Sequence, residues 1–128
     1  MALILVVDDF AAVRETLQRV LEKRLRHEVL LAASGAEAIE LWRRNTPDLV
    51  VLDVHLPDMN GLELLVQLRA FAPTLPIVVM SGSGREDEIM KDALLLGANA
   101  ALPKPYRLRE MVDAILQALG PDQGSQSA

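Results

Sequence analysis

The chain contains no cysteine. That excludes disulfides, thiolate metal sites and cysteine nucleophiles together, and it fits a reducing compartment. Positive charge is also in short supply: 18 acids against 13 bases leave a net charge of -5, so there is no general pull toward nucleic acid or anionic lipid. Long apolar runs are missing too. The opening "MALILVV" has no basic leader and meets Asp8 and Asp9 at once, too soon for a signal peptide or a spanning helix. A cytoplasmic protein is expected, with no membrane contact and no direct nucleic-acid binding. Internal repeats and long low-complexity segments are absent.

What is present suits one soluble domain. With 128 residues, 51% hydrophobic and 24% charged, the chain can bury roughly two thirds of the surface its unfolded form exposes. Residues 1–120 are expected to form that domain. The tail "PDQGSQSA", residues 121–128, is expected to be disordered, either a native end or the stump of a linker.

The runs "LILVV" (Leu3 to Val7), "LVVLDV" (Leu49 to Val54) and "PIVVM" (Pro76 to Met80) are short, branched and not alternating, the pattern of parallel strands covered on both faces. "EVLLAA" (Glu28 to Ala33) and "NAALP" (Asn99 to Pro103) are weaker and suit sheet edges. Helical periods lie between them. Val13, Leu17, Val20 and Leu21 form one stripe, and Ser34 with Glu37 has capping-box spacing before the second helix. Leu62, Leu65 and Leu68 mark a third helix, and Ile89 to Leu96, closed by Gly97, a fourth. The fifth carries Leu108, Met111, Val112, Ile115 and Leu119 and stops at Gly120 and Pro121. Strand and helix alternate five times, which predicts an α/β domain with a mostly parallel sheet.

In such a sheet ligands bind beyond the carboxyl ends of the strands, where strand order reverses. Asp8 and Asp9 close the first strand, Asp53 the third, Ser81 the fourth and Lys104 the fifth. Only the second strand lacks such a group, which favours the order 2-1-3-4-5 with that strand displaced to one side. Three carboxylates gathered there repel, by roughly 4 kcal/mol for a pair about 4 Å apart at an effective dielectric near 20. Lys104 offsets part of this, and a hard cation such as Mg²⁺, which takes carboxylates, waters and a phosphate oxygen, would offset the rest. In that setting an aspartate can attack phosphorus and form an acyl phosphate. The Ser81 hydroxyl and a backbone N–H near Gly82 are further donors for the phosphoryl oxygens.

The pair "DD" after the first strand, with "VVLDVHLPDMNG", "PIVVMSG" and "GANAALPKP", resembles the receiver domain of two-component response regulators, from about Leu3 to Leu119. The resemblance implies a flavodoxin-like three-layer sandwich with five parallel strands and five helices. It implies phosphoryl transfer to Asp53 from a histidine kinase or histidine phosphotransfer protein. It also implies Mg²⁺ held by Asp8 or Asp9, Asp53 and the backbone carbonyl of His55, with Lys104 and Ser81 on the phosphoryl oxygens. The family's output surface is the fourth helix, fifth strand and fifth helix, used by a partner or in a phosphorylation-dependent dimer; a monomer is the alternative. An inward-turning aromatic three residues before the lysine completes the family's switch. Here that position is Ala101, so signalling must use another readout or be weaker. The residues two after the acceptor and two after the hydroxyl are His55 and Ser83, neither an acid, which points to an intermediate phosphoryl lifetime.

Plainer readings compete. Asp8 and Asp9 suit a helix cap, Lys104 alone would be a surface lysine, His27 is expected at the surface, and Tyr106, Trp42 and Phe71 are expected to pack. Leu94, Leu95 and Leu96 cannot all face inward, since successive helical positions turn by ~100°. An aspartyl phosphatase of the haloacid dehalogenase type would need a second acid two residues after Asp53, where His55 stands. A nucleotide or flavin binder would want a glycine- or serine-rich loop where "VDDF" stands. A degenerate receiver acting only as an interaction module is the remaining alternative. A stand-alone relay and one piece of a longer regulator are both compatible with the sequence.

Overall fold

The computed structural model describes residues 1–82 and 86–120. Ser83 and the tail at 121–128 lie outside the described residues. The strands are β1 (Leu3–Val7), β2 (Glu28–Ala32), β3 (Leu49–Asp53), β4 (Ile77–Ser81) and β5 (Ala100–Pro103). Between and after them run α1 (Ala11–Lys23), α2 (Gly35–Asn45), α3 (Gly61–Phe71), α4 (Glu86–Leu95) and α5 (Leu108–Leu119). All strand pairs are parallel, and the order is β2-β1-β3-β4-β5, the flavodoxin-like arrangement.

The continuous apolar runs resolve into two alternating sets, because successive strand residues point to opposite faces. Leu5, Val7, Val50, Leu52, Ile77 and Val79 face the layer of α2, α3 and α4, meeting Ala38, Leu64, Leu65, Leu68 and Ala93. Ile4, Val6, Leu49, Val51, Val78 and Met80 face α1 and α5, meeting Leu17, Leu21, Met111 and Ile115. Burying one such side chain contributes about 1.5–3 kcal/mol. β3 and β4 are buried throughout, whereas β2 and β5, at the sheet edges, are partly exposed.

Local chemistry sets the helix ends. Ser34 Oγ accepts from Glu37 N at 3.2 Å, as the capping box predicts, but the Glu37 carboxylate returns to Ala33 N at 2.8 Å rather than to the cap's own amide. Gly97 ends the turn after α4 with φ of +107°, where glycine has no steric penalty.

One expectation is corrected. His27 is buried, not exposed: its Nδ1 accepts from Ala2 N at 3.0 Å while its backbone N–H donates to Leu21 O at 2.9 Å. It plugs the bottom of the sheet where β1 and β2 begin, and burial together with the nearby N-terminal ammonium holds its pKa below the usual value, against a smaller upward pull from Asp48. The leucine run behaves as helical geometry demands, and more fully: Leu94, Leu95 and Leu96 are all exposed. Trp42 and Phe71 stack with ring centroids 5.7 Å apart, joining α2 to α3. No helix among the described residues is long and apolar enough to cross a membrane.

Candidate functional site

Parallel strands deliver their carboxyl ends to one edge of the sheet, and order reverses between β1 and β3. Asp8 and Asp53 meet there, one residue past β1 and at the last position of β3. Both are buried, while Asp9 beside them is exposed. Each of the three offers a carboxylate oxygen, and these atoms all lie within 4.8 Å of one another.

Lys104, one residue past β5, reaches across this edge. Its Nζ donates to Asp8 Oδ2 at 2.7 Å and to Asp53 Oδ2 at 2.8 Å, so a single ammonium bridges both buried acids. The other oxygens are held by backbone: Asp8 Oδ1 accepts from Phe10 N at 2.9 Å, and Asp53 Oδ1 from His55 N at 3.0 Å. The helix-cap reading of the first two acids does not hold. Phe10 is the N-cap of α1, no side chain bonds in its role, and Asp8 is spent on Lys104.

The electrostatics follow from sharing one cation between two desolvated anions. Burial pushes the Asp53 carboxyl above the usual carboxylate range, and the Asp8 charge adds to this; the hydrogen bonds from Lys104 and His55 pull the other way and do not fully offset it. Burial also works to lower Lys104, but hydrogen bonds and attraction from both aspartates outweigh it, and the ammonium is held above its ordinary range. Lys104 gains from two partners, while Asp53 receives only half of one.

Ser81 ends β4 next to this cluster in the sheet, and its Oγ is fully buried with no hydrogen-bond partner among the described residues. A buried hydroxyl without a partner costs free energy, and here it stands at the edge where a ligand's oxygens would arrive. Gly82 lies close against Lys104: a Cβ there would stand 3.0 Å from Lys104 Cβ, a tight contact. Lys104 N also donates to Ser81 O at 2.7 Å, locking the two strand ends together. The expected residues Asp8, Asp9, Asp53, Ser81, Gly82 and Lys104 are therefore brought to one edge, and His55 follows Asp53 on the adjoining loop. Hard carboxylate oxygens in this number and spacing fit an oxygen-loving cation, so the trio could hold a metal.

Some neighbours escaped the sequence. The Phe10 ring lies under Lys104, 5.8 Å from Nζ to its centroid. Arg14, which the helical period assigns to the polar face of α1, donates from Nη1 to Asp8 O at 2.7 Å. Neither carries a local signal, because each is defined by what the fold brings to it. Ala101 is half-buried against the α2–α4 side of the core, and Tyr106 packs on the α1–α5 side.

Comparison with known proteins gives the same reading. The family model described as "Response regulator receiver domain" matches residues 4–116. A response regulator MprA of Mycobacterium sp. (strain KMS) is 43% identical over 127 residues, covering 97% of this chain and 54% of that protein; the Mycobacterium leprae MprA is 41% identical over the same length. The chain thus spans about half the length of these curated relatives. Among solved structures, a response regulator receiver domain protein from Clostridium thermocellum superposes with TM-score 0.86 at 27% identity, covering 93% of this chain and 94% of that one. A CheY-like receiver from Methanospirillum hungatei JF-1 gives 0.85 at 28% identity over 100% and 99%. With acids, lysine and hydroxyl assembled on this fold and the family match running nearly end to end, the chain belongs to the receiver domains of two-component response regulators.

Proposed function

We propose that Asp53 is the phosphoacceptor, taking a phosphoryl group from a phosphohistidine on a histidine kinase or histidine phosphotransfer protein. A carboxylate oxygen of Asp53 bonds to phosphorus as the phosphorus–nitrogen bond breaks, and the departing imidazole takes up a proton. The observation that carries this reading is the Lys104 ammonium bridging two buried aspartates at 2.7 and 2.8 Å: charge is held ready where phosphoryl oxygens must be neutralised. Lys104 can turn from the carboxylates to those oxygens, and the unpartnered Ser81 hydroxyl with the Gly82 amide can donate to them.

Asp8, Asp9 and Asp53, with the backbone carbonyl of His55, would hold Mg²⁺. When bound, the ion supplies charge neutralisation of the phosphoryl oxygens in the transition state. Burial raises Asp53, and the hydrogen bond from Lys104 favours its ionised form, the form that attacks phosphorus. The chain is then a phosphoryl acceptor with slow self-catalysed release rather than a turnover enzyme. Phosphorylation would change affinity for an output partner at the α4–β5–α5 face; on α4, Leu94 and Leu95 are exposed.

The test is incubation with acetyl phosphate and Mg²⁺, followed by intact mass and a phosphate-affinity gel. Wild type should gain one phosphoryl group that Asp53→Asn does not. Equal labelling of the variant would remove the assignment.

A further inference from the structure

The loop between β3 and α3 carries the His55 carbonyl, and its two ends are tightly drawn together. Gly61 N donates to Val54 O at 2.6 Å, and His55 and Asn60 form a bridge. Asn60 Oδ1 caps α3 by accepting from Leu62 N at 2.8 Å. A Cβ on Gly61 would collide with the Asp53 carbonyl, so the chain can turn here only as glycine.

The tip of the loop is anchored elsewhere, on a different helix. Asp58 Oδ1 accepts from Gly35 N at 2.8 Å and Oδ2 from Ala36 N at 2.9 Å, so its carboxylate spans the first two amides of α2. Met59 lies over Gly35 so closely that a Cβ there would strike its side chain. These amides have no partner inside their own helix, and Asp58 is exposed to solvent, yet both its oxygens are engaged. The two amide bonds hold its carboxyl below the usual carboxylate range, so it remains an anion facing the positive end of the helix dipole.

We infer that Asp58 is a positioning residue for the metal site: by clamping the loop tip to the N-terminus of α2 it fixes the backbone that presents the His55 carbonyl beside Asp8, Asp9 and Asp53. This rests on the reading of those residues as a Mg²⁺ site. A metal bound partly through a main-chain carbonyl depends on the loop keeping one conformation, and outer groups that orient metal ligands commonly matter by about tenfold or more in affinity. α2 itself does not need Asp58 for its start, because Ser34 caps it independently through Glu37 N. The hydrogen bond of that second cap is made at the start of α2 itself and provides the control.

Mg²⁺ binding to the full chain is measured by titration calorimetry without phosphodonor, for wild type, Asp58→Ala, Asp58→Asn and Ser34→Ala, alongside melting temperatures. Asp58→Ala should weaken Mg²⁺ binding about tenfold. Asp58→Asn, which keeps one acceptor oxygen, should fall between it and wild type. Ser34→Ala should lower the melting temperature while leaving Mg²⁺ affinity unchanged. Wild-type affinity in Asp58→Ala, or equal weakening in Ser34→Ala, overturns the inference while the metal site stands. No Mg²⁺ binding by wild type overturns the site and the inference with it.

Discussion

At the scale of single residues, Lys104 and Asp53 oppose each other in stability although a 2.8 Å hydrogen bond joins them. Removing Lys104 leaves Asp8 and Asp53 buried without a counter-charge, whereas neutralising Asp53 relieves both its own desolvation and its repulsion of Asp8. Lys104→Met should therefore cost about 3 kcal/mol near neutral pH in metal-free buffer, the low end for a broken buried pair because the lysine is partly exposed. Asp53→Asn should gain about 1 kcal/mol, within the range of single stabilising substitutions. The sign with pH follows from the direction of the shift. A carboxyl whose folded pKa is raised contributes stability that is complete below its unfolded pKa and is lost as pH rises through the folded value. The advantage of Asp53→Asn must then appear toward neutrality and vanish as pH falls into the ordinary carboxylate range. Urea denaturation across that range checks it, and the double variant should recover part of the Lys104→Met loss, since the two residues touch. An Asp53→Asn protein no more stable than wild type near neutral pH would contradict this account.

At the scale of elements, Arg69 shows what ties the far side of the molecule together. From the last turn of α3 its Nη1 donates to the carbonyls of Ala72, Pro73 and Leu75, and its Nη2 to Gly97 O at 2.8 Å. Asn99 Oδ1, also near Nη2, accepts from Ile77 N at 2.9 Å. One guanidinium thus joins the end of α3, the approach to β4 and the turn between α4 and β5. Arg69→Met should cost about 2–3 kcal/mol, since hydrogen bonds to a charged donor contribute more than neutral ones. Amide exchange should quicken first around residues 72–77 and 97–99; uniform quickening would show that the tie is not local. Nothing near Arg69 in the sequence announces this role, and the same holds for His27 and Asp58, whose partners lie 25 and 23 residues away. By contrast, the strands were legible, because unbroken branched runs have few other uses in a chain this size. Asp53 was legible because it interrupts such a run. Capping at Ser34 was visible in its spacing, but not the diversion of Glu37 to Ala33, which depends on how the chain enters the helix.

At the scale of the whole molecule, an acidic chain concentrates part of its excess at one edge, and that edge should couple cation binding to folding. Any ion that binds the assembled trio but not the unfolded chain stabilises by an amount set by its concentration over its dissociation constant, about 2.7 kcal/mol at a hundredfold excess. For a domain of this size that should raise the melting temperature by roughly 10 °C. Screening of the net charge of -5 would also raise it, so Mg²⁺ must be compared with Na⁺ at equal ionic strength. Asp9 separates the two effects. It is the exposed member of the trio, and the Lys104 ammonium bonds to the other two, so Asp9→Asn takes one carboxylate from the trio while leaving the buried pair and the core intact. Without Mg²⁺ its melting temperature should stay near that of wild type, and with Mg²⁺ most of the specific rise should disappear. If Asp9→Asn rises as far as wild type, Asp9 takes no part in holding the ion, and the specific rise does not come from the assembled trio.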